Sequence, residues 1–594
     1  MSELNTIRRA LLASTCAWLV VCAGCSSLTT PSEAAKKNVY EAAPARDWRA
    51  GAMVAAANPY AVEAGLAILR DGGSAVDAAI AIQAVLGLVE PQSSGLGGGA
   101  FMLHYDARTG DVIAYDGREV APMGASATMF LDEQGAPLSF PAAIQSGRSV
   151  GVPGVVRMLE LAHGEHGKLP WARPWQPAIT LAERGFAVPQ RMHDIALMAE
   201  RFTTLAPDAR RYLTTDGKTI LPVGQIVQNA AYADTLRQIA TSGAQAFYTG
   251  PIAAAIVAAV RAQPRPGALT LEDLAAYRAE KHEPVCRPYR VYEVCGMTPP
   301  SSGGIAVLSV LGTLANFDMT ANNAGTVTGW HLLIEAQRLA YADRDKYVGD
   351  DRFVHVPVDG LLDADYLKSR AALISLERAM PTVAAGKPPG APAAGADHTG
   401  STTGTSHFVV VDAAGNVVTM TTTVESLFGS QRMAGGFFLN NQLTDFSFRP
   451  IDADGVPIAN APAPGKKPRS SMSPTLVFRD RQFLLGVGSP GGNSIIGYVA
   501  KALVGMLDWG LGPDEAVELP NVVARGPVLI EKERFDAELL RQLQSMGHDI
   551  KSGRGAEGSG LHAIMLMPDG TLAGGADSRR EGVARTPQEP AMTN

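Results

Sequence analysis

Helical patterns account for much of the first half of the chain. Residues 61–91 contain two apolar stretches separated by Gly72 and Gly73, and Ser74 stands three residues before Asp77 at the start of the second. A serine at this distance from an acidic residue is typical of a capped helix start, so we predict two helices. Residues 329–348 repeat apolar side chains every three or four positions and predict another helix, and helical patterns dominate residues 150–280.

Two other stretches predict strands. Residues 93–119 have the pattern of a glycine-rich loop, a strand, a turn at Thr109–Gly110 and a second strand. Residues 404–430 predict a β-hairpin, with an apolar run at 407–411, a turn at 413–416 and an apolar, threonine-rich run at 417–424. Strand patterns continue to residue 490, and helical and then short strand patterns follow. Strands grouped on both sides of helical regions predict a layered α+β fold in which helices enclose two sheets.

Two segments lack both patterns. Residues 26–48 predict a loosely held linker, and residues 378–404 are rich in Pro, Gly, Ala and Thr with almost no bulky apolar side chain. We predict that the second segment is mobile and exposed. It ends abruptly at Gly404, where the first hairpin strand opens with Thr405.

Composition narrows the class of protein. The chain has 594 residues, of which 46% are hydrophobic and 18% charged, as expected for a globular protein with a large core. The net charge is −7, and no cluster of Lys and Arg is interleaved with aromatic residues. We therefore expect no nucleic-acid partner.

The first 25 residues have the pattern of an export signal. Two arginines precede an apolar run at residues 10–23, which is too short for a membrane span and suits a secretory signal. The following Gly24-Cys25-Ser26 resembles a bacterial lipoprotein signal, with Cys25 as the lipidated first residue. Ordinary signal cleavage is the alternative, because Cys22 replaces the usual aliphatic residue. We expect a periplasmic or outer-membrane-anchored protein that touches the membrane only through this lipid.

Cys286 and Cys295 are the two cysteines outside the signal. They flank an alternating, strand-like segment, and an oxidising compartment would allow them to form a disulfide. The alternative is a pair of free thiols.

Several familiar motifs are absent or misplaced. The glycines of residues 94–100 follow a helix and precede a strand, which is the reverse of a dinucleotide-binding loop, so we interpret them as backbone-packing residues. The chain has no P-loop, no HExxH motif, no G-x-S-x-G elbow and no His/Cys cluster with metal-ligand spacing. We expect neither a metal nor a cofactor.

The Gly404–Thr405 junction offers a different chemistry. If the bond before Thr405 were cut, that residue would carry both a hydroxyl and a free α-amine, whose pKa is about 7.7–8.0. Such an amine is a suitable general base near neutral pH, so one residue could supply both nucleophile and base. Spacing alone does not distinguish this from an ordinary threonine at the start of a strand.

Longer motifs give the junction a context. "TSHFVVVDAAGNVVTMTTTVESLFGS", "LNNQLTDFS", "PGKKPRSSMSPTLVF" and "GSPGGNSII" follow it, and "GGSAVDAAIA", "EPQSSGLGGGAFML", "DGREVAP" and "TPPSSGG" precede it. Together they closely resemble the γ-glutamyltranspeptidase (glutathione hydrolase) family, in the family's order, over residues 50–588. The resemblance implies a four-layer αββα fold of the N-terminal-nucleophile hydrolase type.

The resemblance also implies self-cleavage and a catalytic centre. Residues 26–404 would form the large subunit and residues 405–594 the small one, cut between Gly404 and Thr405. Thr405 would be the nucleophile, and Thr423 would bond to its hydroxyl. The backbone N–H groups of Gly491 and Gly492 would stabilise the developing oxyanion.

The same resemblance assigns the groups that recognise a γ-glutamyl substrate. Arg118 would bind its α-carboxylate, because a guanidinium can hold two oxygens at once. The remaining implied contacts are Ser470 and Ser471 to the carboxylate, and Asp445, helped by Gln442 and Glu425, to the α-ammonium. The expected substrates are glutathione and related γ-glutamyl compounds, and the expected acceptors are water, amino acids or dipeptides.

Three features depart from this pattern or stand beside it. Glu425 stands where several family members carry Asn, and residues 446–468 contain no Tyr that could act as a lid. His407 follows the nucleophile closely, and we interpret it as structural.

Two alternative functions remain open. One is a cephalosporin- or glutaryl-type acylase on the same fold, and the other is an uncleaved binding lipoprotein without activity. The carboxylate of Asp445 favours a substrate with an α-amine.

Overall fold

The computed structural model describes residues 50–400, 404–552 and 558–589. The predicted signal, Cys25 and the linker lie outside the described residues. Within them, no helix combines the length and apolar character needed to cross a membrane.

In the described part of the chain, the strands belong to two large antiparallel sheets and three small ones. In chain order they are β1 Met53–Ala56, β2 Gly99–Tyr105, β3 Val112–Gly117, β4 Phe186–Ala187, β5 Ile226–Val227, β6 Glu280–His282, β7 Val285–Tyr289, β8 Tyr292–Gly296, β9 Gly404–Val411, β10 Val417–Glu425, β11 Met433–Ala434, β12 Phe437–Phe438, β13 Thr475–Arg479, β14 Gln482–Gly488, β15 Val522–Val523, β16 Val528–Ile530, β17 Ile550–Ser552, β18 His562–Leu566, β19 Leu572–Ala576 and β20 Val583–Arg585.

The helices of the described residues are mostly short. They are α1 Pro59–Arg70, α2 Ala75–Val89, α3 Phe140–Ile144, α4 Val155–His166, α5 Gln176–Arg184, α6 Gln190–Thr203, α7 Pro207–Leu213, α8 Ala230–Ser242, α9 Gln245–Tyr248, α10 Gly250–Arg261, α11 Leu271–Ala276, α12 Gly303–Leu314, α13 Val327–Tyr347, α14 Val358–Leu361, α15 Ala364–Ala371, α16 Ile495–Leu507, α17 Pro513–Glu518 and α18 Ala537–Ser545.

Two sheets stacked face to face form the centre of the fold. The first has the order β20-β1-β9-β10-β2-β3-β6 and the second β19-β18-β14-β13-β8-β7. Their facing side chains, such as Leu103 and Val409 from the first sheet and Leu476 from the second, share one buried cluster with residues of α12, α13 and α16. The other face of the first sheet packs against α1 and α2. The order is therefore helix, sheet, sheet, helix, which confirms the predicted α+β fold.

Strand β9 is buried on both faces, and this explains its continuous apolar run. Phe408 and Val410 pack toward the α1/α2 layer, whereas Val409 and Val411 pack toward the second sheet. Side chains alternate along a strand, so Thr405 is on the face of Val409 and Val411 and points between the two sheets.

The predicted helices and the hairpin are confirmed. Ser74 caps α2, its hydroxyl accepting from the Asp77 N–H while the Asp77 carboxylate accepts from the Ser74 N–H. Strands β9 and β10 pair along their length, with Thr405 opposite Thr423. The glycine-rich loop packs by its backbone as expected, because a Cβ at Gly98 would lie only 2.0 Å from the Thr423 carbonyl oxygen.

The segment before the junction is irregular, and its described part mixes exposed residues with half-buried ones. Its mobility stays a prediction, but its backbone is attached to a distant helix. Glu335 accepts from the Met380 N–H at 2.8 Å, and Asp343 accepts from the Gly386 N–H at 2.6 Å. Both carboxylates belong to α13. The composition concealed this attachment, because the anchoring groups come from a distant helix and bind the segment's backbone.

Cys286 and Cys295 are joined by a disulfide. They lie directly opposite each other on β7 and β8, with Cα atoms 4.0 Å apart. Of the two alternatives open at the sequence level, the structure has the bonded pair.

Candidate active site

Thr405 and Thr423 form a hydroxyl pair at the start of β9. Their Oγ1 atoms are 3.2 Å apart, and Thr423 Oγ1 also donates to the Gly404 carbonyl oxygen at 2.5 Å. A third contact comes from the Glu425 N–H, which donates to Thr423 Oγ1 at 2.8 Å. The single proton of the Thr423 hydroxyl is used in the hydrogen bond to the Gly404 carbonyl. The Thr405 hydroxyl is therefore the donor in the hydrogen bond between the two threonines.

A local distortion of β10 makes these contacts. The pairing with β9 shifts register between Thr423 and Glu425, so that Glu425 stands opposite Gly404. Glu425 has a φ of 81°, which is unusual for a residue with a side chain and marks local backbone strain. Gly404 is required for space as well, because a Cβ there would lie 2.4 Å from the Ser426 carbonyl oxygen.

The backbone of Thr405 is held by a buried cation. Arg580 Nη1 donates to the Thr405 carbonyl oxygen at 2.8 Å, and the same nitrogen lies 3.9 Å from Glu90 Oε2. Ser406 Oγ donates to that carboxylate oxygen at 2.9 Å. Burial, followed by repulsion from Arg191, lowers the pKa of Arg580 to about 9. Sequence reasoning gave Arg580 and Glu90 no role, although Glu90 opens the "EPQSSGLGGGAFML" block, because both lie far from Thr405 in the chain.

Most of the predicted site residues meet in one pocket. Those that line its wall are Arg118, Thr405, Thr423, Glu425, Gln442, Asp445, Ser470, Ser471 and Gly492. Gly404 and Gly491 are outside this wall, but each is next in sequence to a residue that forms it.

Gly491 and Gly492 both adopt backbone conformations that favour glycine, with φ values of 138° and 56°. A Cβ at Gly491 would lie 2.6 Å from the ring of Tyr498, so the turn leaves no room for a larger residue. This turn follows β14 and brings Gly492 into the pocket wall that also contains Thr405.

Arg118 is fully buried at the end of β3 and fixed by main-chain oxygens. Its Nε donates to the Pro468 carbonyl at 3.1 Å and its Nη2 to the Arg469 carbonyl at 2.9 Å. Nη2 also donates to Asp445 Oδ2 at 2.6 Å. Arg118 and Asp445, which were predicted to bind opposite charges of a substrate, are therefore adjacent. Gln442 Nε2 donates to the same Asp445 oxygen at 2.6 Å.

Glu119 adds a second acidic group beside Arg118. Its Oε2 is 3.8 Å from Arg118 Nη1, and neither carboxyl oxygen has a hydrogen-bond partner among the described residues. Burial raises the pKa of Glu119 to about 8, although Arg118 opposes the shift. The group is therefore protonated at neutral pH and leaves the charge of Arg118 available.

Ser470 is held by the "TPPSSGG" block, and Ser471 is held by two other side chains. Ser302 Oγ donates to the Ser470 carbonyl at 2.5 Å, and the Ser470 N–H donates to the Pro300 carbonyl at 3.0 Å. Ser471 Oγ accepts from Arg344 Nη2 at 2.6 Å and donates to Asn493 Oδ1 at 3.0 Å. The block thus fixes the backbone of Ser470, whereas Arg344 and Asn493 fix the hydroxyl of Ser471.

Arg344 also lines the pocket and was missed at the sequence level. Tyr341 and Tyr347, three residues before and after it on α13, are buried as well. The sequence did contain a signal for Arg344, because an arginine in the apolar stripe of an amphipathic helix is expected to be buried. A buried charge must find partners inside the fold.

Glu425 and His407 have clear structural contacts. The Glu425 carboxylate accepts from Ser426 Oγ at 2.8 Å and from the Asn441 side-chain amide, and Glu425 lines the pocket. His407 is buried, its Nδ1 lies 2.9 Å from Thr421 Oγ1, and burial lowers its pKa well below the usual range. His407 is therefore neutral, consistent with a packing role.

A four-layer αββα body with a threonine near the start of a central strand, facing the second sheet, has the architecture of the N-terminal-nucleophile hydrolases. The solved structure of cephalosporin acylase from Bacillus halodurans superposes with a TM-score of 0.79 at 29% identity, covering 93% of this chain and 98% of that one. The fold class expected from sequence is thereby confirmed.

The sequence comparisons give the family. The family model "Gamma-glutamyltranspeptidase" matches residues 61–586. Glutathione hydrolase proenzyme of Escherichia coli (strain K12) is 38% identical over 541 residues, covering 89% of this chain and 90% of that protein. The protein of the same name from Bacillus subtilis (strain 168) is 36% identical over 549 residues, covering 90% and 91%. The chain belongs to the γ-glutamyltranspeptidase family of enzymes.

Proposed function

We propose that this protein is an exported γ-glutamyl hydrolase and transferase that cuts itself between Gly404 and Thr405. The observation that carries the proposal is the Thr405–Thr423 hydroxyl pair at the Gly404 carbonyl, in the same pocket as the Arg118–Asp445 pair. The first pair suits cleavage and acyl transfer. The second suits a ligand that carries a carboxylate and an ammonium group.

Self-cleavage begins when Thr405 Oγ1 attacks the Gly404 carbonyl carbon. The amide C–N bond breaks, the hydroxyl proton passes to the departing nitrogen, and Gly404 becomes esterified to Thr405. The Thr423 hydroxyl, 2.5 Å from the carbonyl oxygen, stabilises the negative charge that develops there. Water then hydrolyses the ester, which leaves a carboxylate on Gly404 and a free α-amine and hydroxyl on Thr405.

Catalysis repeats this chemistry on a γ-glutamyl amide. The α-amine takes the Thr405 hydroxyl proton, Oγ1 attacks the γ-carbonyl carbon, and the backbone N–H groups of Gly491 and Gly492 stabilise the oxyanion. The amine then gives its proton to the leaving nitrogen. Water, an amino acid or a dipeptide resolves the γ-glutamyl ester.

Substrate recognition follows from the charges of the pocket. The substrate carboxylate binds Arg118 and the hydroxyls of Ser470 and Ser471, and the ammonium binds Asp445 with help from Gln442 and Glu425. The Asp445 side chain is 17% exposed, so a ligand without an ammonium would leave a largely buried carboxylate with one cation fewer.

The similarity to a cephalosporin acylase supports a second candidate, an acylase for apolar or glutaryl side chains. The two activities separate in one assay, in which the purified protein is given glutathione and, in parallel, a glutaryl amide. Release of glutamate or formation of γ-glutamyl-dipeptide supports the first function and also measures hydrolysis against transfer. Turnover of the glutaryl amide alone would support the acylase.

A denaturing gel tests processing directly. The proposal predicts two fragments whose smaller member begins with Thr405 by N-terminal sequencing. An intact chain without activity would instead support the non-catalytic binding lipoprotein.

The proposed export and lipid attachment can be tested at Cys25. A lipid on this residue should appear as a mass increase on the N-terminal peptide and should hold the protein in the membrane fraction. Cys25→Ala should release an active enzyme into the periplasmic fraction, and an unmodified N-terminus would support ordinary signal cleavage.

A further inference from the structure

Arg525 contacts the segment that precedes the cleavage site. It follows β15, and its Nη1 and Nη2 both donate to the Thr399 carbonyl oxygen, at 3.3 and 3.2 Å. Its Nε donates to Asp345 Oδ2 at 2.8 Å. The two terminal nitrogens thus form a fork around a single neutral oxygen.

Thr399 itself belongs to the wall of the catalytic pocket. Thr399 and Gly400 line the same pocket as Thr405 and Ser471. In the uncut chain, therefore, part of the space beside the nucleophile is taken by the chain itself, and Arg525 holds this part in place.

The attachment upstream of Thr399 is firm. Asp397 is fully buried and accepts from Arg469 Nη2 at 2.8 Å and from Asn460 Nδ2 at 3.0 Å. Before the cut, the continuous chain connects Thr399 to Asp397 on one side and to Thr405 on the other. After the cut, Thr399 remains connected to the large subunit through Asp397, and Gly404 carries a new carboxylate that must leave the nucleophile before a substrate can enter.

The charges around Arg525 favour an anion in place of the Thr399 carbonyl. Asp345 is shared by three guanidinium groups, those of Arg344, Arg469 and Arg525, and Asp397 is the second carboxylate paired with this group. Within this group of described ion pairs, three positively charged side chains are therefore matched by two negatively charged ones, and positive charge is in excess. A forked guanidinium binds a carboxylate more strongly than a neutral carbonyl, because charge and geometry both match.

We propose that, once the chain is cut and Thr399 withdraws, Arg525 binds the free carboxylate of the amine half of the substrate. This rests on the proposed γ-glutamyl transfer and defines its substrate class. The preferred donors are γ-glutamyl amino acids and peptides with a free α-carboxylate on the amine side, and the preferred acceptors are amino acids or peptides that carry one. γ-Glutamyl derivatives of simple amines and carboxamides are the poorer substrates.

Two donors that differ only in this group provide the test: γ-glutamyl-alanine and γ-glutamyl-alaninamide. In the cut wild-type enzyme, kcat/KM should be about tenfold higher for the acid, mainly through KM. Arg525→Gln should abolish this ratio, and Arg525→Lys should keep part of it. Arg479→Gln, which removes an exposed arginine at the end of β13, should leave the ratio unchanged.

The wild-type measurement decides the matter even if an Arg525 variant fails to fold or to be cut. Equal kcat/KM values for acid and amide, or an unchanged ratio in Arg525→Gln, would overturn the assignment of Arg525 while leaving γ-glutamyl transfer intact. No turnover of either donor by the cut wild-type enzyme would overturn the proposed function itself. A structure of the cut enzyme with Arg525 still on the Thr399 carbonyl would also contradict this inference.

Discussion

Arg118 donates a 2.6 Å hydrogen bond to Asp445, so the residues assigned to opposite charges of one substrate are already paired. An α-amino acid carries both charges on one carbon and can add to this pair without leaving either charge unmatched. A ligand with only one of the charges would disturb the balance.

Removing the charge of Asp445 should therefore weaken the binding of γ-glutamyl substrates selectively. We expect Asp445→Asn to lower kcat/KM for γ-glutamyl-p-nitroanilide about a hundredfold, because an ammonium would lose its buried partner. The value for glutaryl-p-nitroanilide, which lacks the α-amine, should fall much less. Asp454→Asn, in an exposed turn between β12 and β13, is the control; equal losses with both substrates would contradict the assigned contact.

Thr423 should control the rate of self-cleavage. Thr423→Val removes the hydroxyl that lies 2.5 Å from the Gly404 carbonyl oxygen, and we expect cleavage to slow about a hundredfold. A time course on a denaturing gel measures this. Thr405→Ala should remain uncut and Thr405→Ser should still be cut, whereas Thr422→Val, on the opposite face of β10, should be cut at a near-normal rate. Cleavage of Thr405→Ala would refute the nucleophile.

Arg580 should act by positioning Thr405, not by binding substrate. Arg580→Ala removes the 2.8 Å bond to the Thr405 carbonyl, and we expect kcat to fall about tenfold or more while KM changes little. Arg580→Lys, which can still donate to the carbonyl, should restore part of kcat. A rise in KM without loss of kcat would place Arg580 in substrate binding instead.

Two groups should shape the pH profile in opposite directions. The α-amine of Thr405 must be neutral to act as a base, so activity should rise through a pKa of about 8. Glu119 is protonated below its pKa of about 8 and becomes an anion 3.8 Å from Arg118 above it, where it competes with the substrate carboxylate. We expect kcat/KM to decline on the alkaline side. In Glu119→Gln this decline should disappear while the rise remains; a decline that persists would assign it to another group.

The Glu119 titration also affects stability. The folded state binds this proton more tightly than the unfolded chain, whose glutamate has a pKa near 4.5. Between that pH and about 8, the folded protein holds the additional proton, so the free energy of unfolding should fall as pH rises. Denaturant unfolding at pH 5 and pH 8, compared between wild type and Glu119→Gln, measures the difference.

Local sequence patterns were enough to predict the helices and strands, and the chemistry available at the Gly404–Thr405 junction. The capping pair Ser74 and Asp77, the hairpin of β9 and β10 and the helix α13 all depend on residues close in sequence. The αββα order and the site residues came from long family motifs. Such motifs predict which residues form the site, but they do not predict the contacts between those residues.

Contacts across long sequence separations could not be predicted. Arg580 lies 175 residues from the Thr405 carbonyl it holds, and Arg525 lies 126 residues from that of Thr399. Neither arginine belongs to a pattern with local spacing. The attachment of the segment before the junction could not be predicted for the same reason, since composition measures the lack of apolar side chains, whereas Glu335 and Asp343 bind backbone groups that every sequence has.

The sequence by itself determined that a glycine and a threonine stand together at the start of a strand, within a chain able to form two sheets between helices. That information is local, because helix caps, turns and strand alternation act over a few residues. Only the tertiary structure decided that Thr423 faces the Gly404 carbonyl, that Arg118 and Asp445 pair, and that Arg525 holds Thr399 in the pocket wall. These relationships depend on strand register and on which buried charges find each other, and such choices are made when the whole core packs.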